Sequence, residues 1–234
     1  CDQNTHACRT GCSFETTALT DNFWAGSLSP YMADFYYLED MASDGTHLFL
    51  TDGYSDVAIV DVSNPDDAQF VELLSTSSWI VDLKTTENTL WIRSGGNVAR
   101  YDMSAIATPN LTGRVLSTHW SEERIPVDFV LKDSRIYTLV YEPSGDNKAW
   151  SLLTHSIDAL GNLSQDHSLD LGTTDDSDGG SLALSANRMV AALPSSNQGL
   201  KVISIASPAT PEELYSIDSD APQNALLLEN DHLY

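Results

Sequence analysis

Apolar and polar positions along this chain alternate in short, strand-sized runs, and turn-forming residues rather than helical stretches separate the runs. One nine-residue pattern recurs five times. It reads Asp40-Met-Ala-Ser-Asp-Gly-Thr-His-Leu48, then Asp82-Leu-Lys-Thr-Thr-Glu-Asn-Thr-Leu90. It returns as Asp128-Phe-Val-Leu-Lys-Asp-Ser-Arg-Ile136, as Ser181-Leu-Ala-Leu-Ser-Ala-Asn-Arg-Met189 and as Ala225-Leu-Leu-Leu-Glu-Asn-Asp-His-Leu233. Each copy is apolar at its second and ninth positions, with a polar turn before the ninth. The starts lie 42, 46, 53 and 44 residues apart. A period in the forties built from short strands predicts an all-β propeller of four-stranded antiparallel blades.

The stretch from Asp40 to Thr76 reads as one blade. Strands are predicted over Asp40–Ser43, His47–Thr51, Val57–Val62 and Phe70–Leu74, punctuated by Asp44-Gly45, Asp52-Gly53 and the Ser63–Asp67 loop. The same scheme predicts complete blades over about 40–76, 82–118, 128–171 and 181–218. A fifth begins at Ala225 and is cut at Tyr234, inside its second strand. The expectation is that the chain is part of a larger ring; the alternative is that residues 13–38 close a five-bladed one. Residues 1–30 read as a tether and 31–234 as the propeller.

Leu48-Phe-Leu-Thr-Asp-Gly53 and Val57-Ala-Ile-Val-Asp-Val-Ser-Asn-Pro65 make this blade resemble the LVIVD-repeat family of bacterial β-propellers. The likeness weakens beyond blade 1. Val98–Ser104 keeps the third-strand pattern, and Leu200–Pro208 has Ser204 where the aspartate would stand. The resemblance implies a propeller at the cell envelope and no catalytic residues to carry over. A Trp-Asp repeat signature is absent, and the five tryptophans do not recur at one blade position.

Composition narrows the function. The net charge is −23, from 34 acidic and 11 basic residues. A chain of that sign repels nucleic acid and anionic membrane surfaces. No apolar run approaches the roughly 20 residues of a membrane-spanning helix.

Three cysteines, Cys1, Cys8 and Cys12, stand in the first twelve residues and none occurs later. A chain beginning at cysteine resembles a mature bacterial lipoprotein, in which that cysteine carries the lipid. The resemblance implies a lipidated Cys1, a disulfide between Cys8 and Cys12, and an extracytoplasmic location at the envelope. A metal site completed by His6, or a chain simply cut at a cysteine, are the alternatives.

No Gly-x-Ser-x-Gly elbow, His-Glu-x-x-His motif or phosphate-binding glycine loop occurs. Asp40, Asp82 and Asp128 open the predicted innermost strand of three blades, so they are candidate channel-mouth carboxylates. Each could instead bind backbone N–H groups in its own loop. Thr174–Gly180 has the acidic, glycine-rich look of a calcium loop, which makes Asp175, Asp176 and Asp178 candidate calcium ligands. The expected function is a non-catalytic protein-binding or assembly scaffold with protein partners at the envelope. A propeller hydrolase or lyase on extracellular polymers, using Asp40, Asp82 and Asp128 as acid and base, is one alternative. A structural subunit of a surface assembly is another.

Overall fold

The computed structural model describes residues 38–115 and 124–217, apart from 65, 77, 95, 160, 176–178 and 195–198, together with 226, 228, 229, 232 and 233. Every regular element among the described residues is a β-strand. Blade 1 comprises β1 (Asp40–Ser43), β2 (His47–Thr51), β3 (Asp56–Asp61) and β4 (Gln69–Ser75). Blade 2 comprises β5 (Ile80–Thr86), β6 (Thr89–Ser94), β7 (Asn97–Asp102) and β8 (Asn110–Val115). Blade 3 comprises β9 (Ile125–Lys132), β10 (Arg135–Ser144), β11 (Asn147–Ile157) and β12 (Leu163–Thr174). Blade 4 comprises β13 (Ser181–Leu184), β14 (Arg188–Ala192), β15 (Leu200–Ser204) and β16 (Glu212–Ile217). A two-stranded hairpin, β17 (Leu228–Glu229) and β18 (His232–Leu233), follows where the fifth repeat begins.

Each blade is an antiparallel sheet in chain order. Innermost strands of neighbouring blades lie side by side, β1 against β5 and β9 against β13. Hairpin turns do what their sequences dictate. Gly45 and Gly53 take φ of +94° and +84° in the two Asp-Gly turns of blade 1. At Pro143–Asn147 the β10–β11 ladder runs on to the pair Ser144↔Asn147, which makes blade 3 the largest.

Period-two alternation puts one face of every sheet toward each neighbour. Phe49, Val57, Ile59 and Leu74 of blade 1 pack on Ile80, Leu83, Leu90, Ile92, Ala99, Tyr101 and Met103 of blade 2. Tyr137, Leu139, Trp150, Leu152 and Leu171 of blade 3 pack on Leu182, Met189, Ala191, Leu193, Ile203 and Ile205 of blade 4. Between blades 2 and 3 the buried apolar cluster shrinks to Trp91, Val98, Phe129 and Ile136.

Candidate functional site

The opening aspartate of a repeat points across the junction to the next blade. Asp40 Oδ2 accepts the backbone N–H of Leu83 at 2.6 Å. Asp128 Oδ2 accepts that of Leu182 at 2.7 Å. Leu83 and Leu182 both occupy the second repeat position, so one carboxylate satisfies the same orphan donor one blade further on. These bonds lie in a half-buried setting where an unmet N–H is costly.

Asp82 departs from this pattern. Its counterpart donor, the N–H of Phe129, is taken by Oδ1 of Asp128 at 2.7 Å. Asp82 instead faces Lys84 at 3.3 Å and Arg93 at 3.7 Å. Lys84 crosses to blade 3: its Nζ donates to Asp128 Oδ1 at 2.9 Å and to the carbonyl of Phe129, and it lies 4.4 Å above the Phe129 ring. Burial pushes the Asp82 carboxyl up to about 6; Lys84 and Arg93 pull it down, while the charges of Asp128 and Asp40 add to the rise. The fourth repeat has Ser181, whose buried hydroxyl has no hydrogen-bond partner among the described residues.

The face of the ring on which the innermost strands begin also carries an exposed aromatic pair. Tyr54, in the β2–β3 turn, and Trp79, just before β5, stack with centroids 5.4 Å apart and planes 18° from parallel. The N–H of Ile80 donates to the carbonyls of both Gly53 and Tyr54, which fixes the two segments together. Gly53 leaves room for the indole: a Cβ there would sit 3.1 Å from Trp79 Nε1. Trp79 is 59% exposed and Tyr54 49%. Leu38 just before β1, Met41 on β1 and Val81 on β5 are exposed as well.

The opposite face holds a cleft of about 560 Å³ between blades 2 and 3. The β5–β6 and β9–β10 turns and the end of β11 frame it. Glu87, Asp133 and Ser134 in those turns have positive φ, of 48°, 48° and 58°. Arg100, Lys132 and Arg135 line it, with Leu131, Ile157 and Trp91.

The sequence thus singled out residues that fall into three settings. Asp40, Asp82 and Asp128 stand at successive blade junctions, and among the described residues no three His, Cys, Asp or Glu side chains converge as a metal site would require. Asp175 is exposed at the end of β12, and Asp176 and Asp178 lie outside the described residues. So do Cys1, Cys8, Cys12 and the whole tether. The aromatic pair and the cleft were missed. Trp79 shares no blade position with the other tryptophans, and its partner comes from a separate turn. The cleft does have a signal in the repeat register. Arg100 pairs with Trp91 just as Ile59 pairs with Phe49, so an arginine stands where blade 1 has a core isoleucine.

No protein-family model matches the chain, and no curated protein is similar to it in sequence. Its backbone does superimpose on solved propeller-like proteins. Sqt1 of Saccharomyces cerevisiae matches with a TM-score of 0.61 at 13% identity, over 83% of this chain and 53% of Sqt1. A functionally unknown protein from Desulfotomaculum acetoxidans matches at 0.63 and 14% identity, over 84% of this chain and 61% of that one. AztD of Citrobacter koseri matches at 0.53 and 15% identity, over 81% and 49% respectively. The chain spans between about half and three fifths of the length of these structures. Likeness at such identities establishes the fold: blades of a β-propeller.

Proposed function

We propose that this chain is a non-catalytic, protein-binding propeller of the bacterial cell envelope, held there by lipid on Cys1. The observation that carries the binding role is the exposed stacked pair of Tyr54 and Trp79. Exposed apolar surface gathered at one place marks an interaction site, and a stacked Trp–Tyr pair offers large rigid contact area. Two of the three opening carboxylates are committed to holding blades together, which favours a scaffold over a catalyst. The envelope location rests on the lipoprotein-like Cys1 start and the LVIVD-like residues of blade 1.

Pull-down from the envelope fraction with the full chain tests the binding role. The wild type is expected to recover a protein partner that Trp79→Ala and Tyr54→Ala lose while keeping the wild-type melting temperature. Recovery undiminished by both substitutions overturns this use of the pair. Detergent phase partitioning tests the anchor: the native protein enters the detergent phase and Cys1→Ser does not.

A hydrolase or lyase reading has one observation in its favour. Asp82 holds its proton up to about pH 6 in a site shared with Asp128 and Lys84. Polymer-degrading activity lost in Asp82→Asn would select that reading.

A further inference from the structure

Charge is spread unevenly along this acidic chain. Between Arg9 and Lys84 there is no lysine or arginine, while residues 38–80, which hold blade 1 and the link to blade 2, carry nine aspartates and glutamates. The stacked Tyr54–Trp79 pair stands in that stretch. Blade 1 thus has no lysine or arginine of its own to meet its carboxylates. The first cations beyond it are already engaged, Lys84 with Asp82 and Asp128, and Arg93 with Asp82.

Several of these carboxylates are used inside the fold. Asp40 takes the N–H of Leu83, and the buried Asp52 takes that of Tyr54 at 3.0 Å. Asp44 accepts the N–H groups of Thr46 and His47 in its own turn. Glu39 differs. It is exposed, and among the described residues its carboxylate has neither a hydrogen bond nor an ion pair. It also stands beside the aromatic pair. A Cβ placed on Gly53 would lie 3.1 Å from Trp79 Nε1 and 3.4 Å from both Cβ and Cγ of Glu39, so a single glycine separates the indole from the glutamate stem.

The rings are held ready by backbone bonds. The N–H of Ile80 donates to the carbonyls of Gly53 and Tyr54 at 3.1 and 2.9 Å, and that of Thr76 donates to the carbonyl of Ser55 at 2.6 Å. These bonds fasten the β2–β3 turn to the β4–β5 link on both sides of Trp79. Each ring covers one face of the other, so the exposure both keep belongs to their outer faces and edges.

We propose that the Tyr54–Trp79 pair and Glu39 form one site for an arginine side chain of a basic protein segment, its guanidinium laid on the exposed aromatic surface and hydrogen-bonded to the Glu39 carboxylate. This rests on the protein-binding reading of the pair and names the chemistry of the partner. A cation is drawn to the face of an indole, and the planar arginine head both stacks there and matches a carboxylate with its fork. Lysine brings a point charge without the plane. An acidic or neutral segment would leave the glutamate charge unmet, and no cation of blade 1 competes for it. A platform fixed before binding loses little freedom when the partner arrives.

Calorimetric titration of the full chain tests this with a capped pentapeptide of alternating glycine and arginine, against the same peptide built with lysine and with citrulline. The arginine peptide is expected to bind tightest, and Trp79→Ala to weaken it about fivefold. Glu39→Gln removes one exposed charge and is expected to weaken it about threefold. The Glu39 carboxylate makes no polar contact with a described residue, so this variant keeps the fold and carries the test should Trp79→Ala disturb the turn. Glu87→Gln alters an exposed carboxylate on the opposite face. It controls for the attraction any cation feels toward a net charge of −23, and is expected to leave binding unchanged. Three results overturn the proposal: no binding of the arginine peptide, equal weakening in Glu39→Gln and Glu87→Gln, or a lysine or citrulline peptide that binds as tightly as the arginine one. Partner capture separates this idea from the reading it rests on. A protein partner lost by Trp79→Ala but kept in full by Glu39→Gln leaves the binding role standing and overturns the arginine assignment.

Discussion

The junction between blades 1 and 2 and the junction between blades 2 and 3 are made from the same repeat, yet they hold together by different means. The first buries eleven apolar residues and is stitched by Asp40 to a backbone N–H. The second buries four, and its polar links run through Lys84 and Arg93. The cause is confined to one face of blade 2. Where blade 1 presents Ala42, Thr51 and Ile59 to its neighbour, blade 2 presents Lys84, Arg93 and Arg100 at the matching register positions. Long cationic side chains keep their charged heads solvated and cannot close a core as an isoleucine does. The buried apolar cluster there is correspondingly small, and Arg100 stands in the wall of the cleft.

Truncating one leucine at each kind of junction tests that contrast most strongly. Leu139, fully buried between blades 3 and 4, is expected to lose about 3 kcal/mol on replacement by alanine. Leu131, half-buried beside the cleft, is expected to lose about 1 kcal/mol. Equal losses in urea denaturation would erase the distinction between apolar and polar junctions.

The stitching aspartates give the next largest effect. Asp128→Ala removes the acceptor of Leu182 N–H and one partner of Lys84, and is expected to cost about 2 kcal/mol. Asp40→Ala removes only the acceptor of Leu83 N–H, at about 1 kcal/mol. Thermal melts of the two variants, compared with each other, measure how much the lysine bridge adds.

The smallest effect is a pH dependence. Because burial raises Asp82 from 3.8 to about 6, the folded protein holds this proton more tightly than the unfolded chain does. Stability therefore rises as pH falls from about 6 to 4, by about 1 kcal/mol once partial exposure is discounted. His155 acts the other way. Burial holds its imidazole below 6.5, against the pull of Asp166, so it takes stability away as pH falls below that value. Subtracting the melting profile of Asp82→Asn from that of the wild type isolates the carboxylate. A flat difference between pH 4 and 6 would show that Asp82 is not held in its acid form.

The strands of blade 1 were legible because each is bounded by Asp-Gly or Pro-containing turns and alternates with period two. The predicted bounds for β1 and β2 match the structure, and those for β3 and β4 differ only at their ends. The role of the aspartates was half legible. Their recurrence marked them, but sequence gave their own loops as the nearest donors, while the fold brings Leu83 and Leu182 closer from more than forty residues away. The cleft stayed hidden for a similar reason. Arg100 and Lys132 lie on different blades, and each looks ordinary in its own strand. Only alignment by register shows that a charge has replaced a core residue. Nothing local joins Tyr54 to Trp79, since one sits in a tight turn and the other in the connection between sheets.

The aspartate stitch has a consequence for how the molecule opens. Blades that touch only their neighbours behave as a one-dimensional row of coupled units, and such a row loses cooperativity first at its weakest coupling. Here that coupling is the thin second junction. Blades 1 and 2 are expected to form one exchange-protected pair and blades 3 and 4 another, with the cleft on the fault line between them.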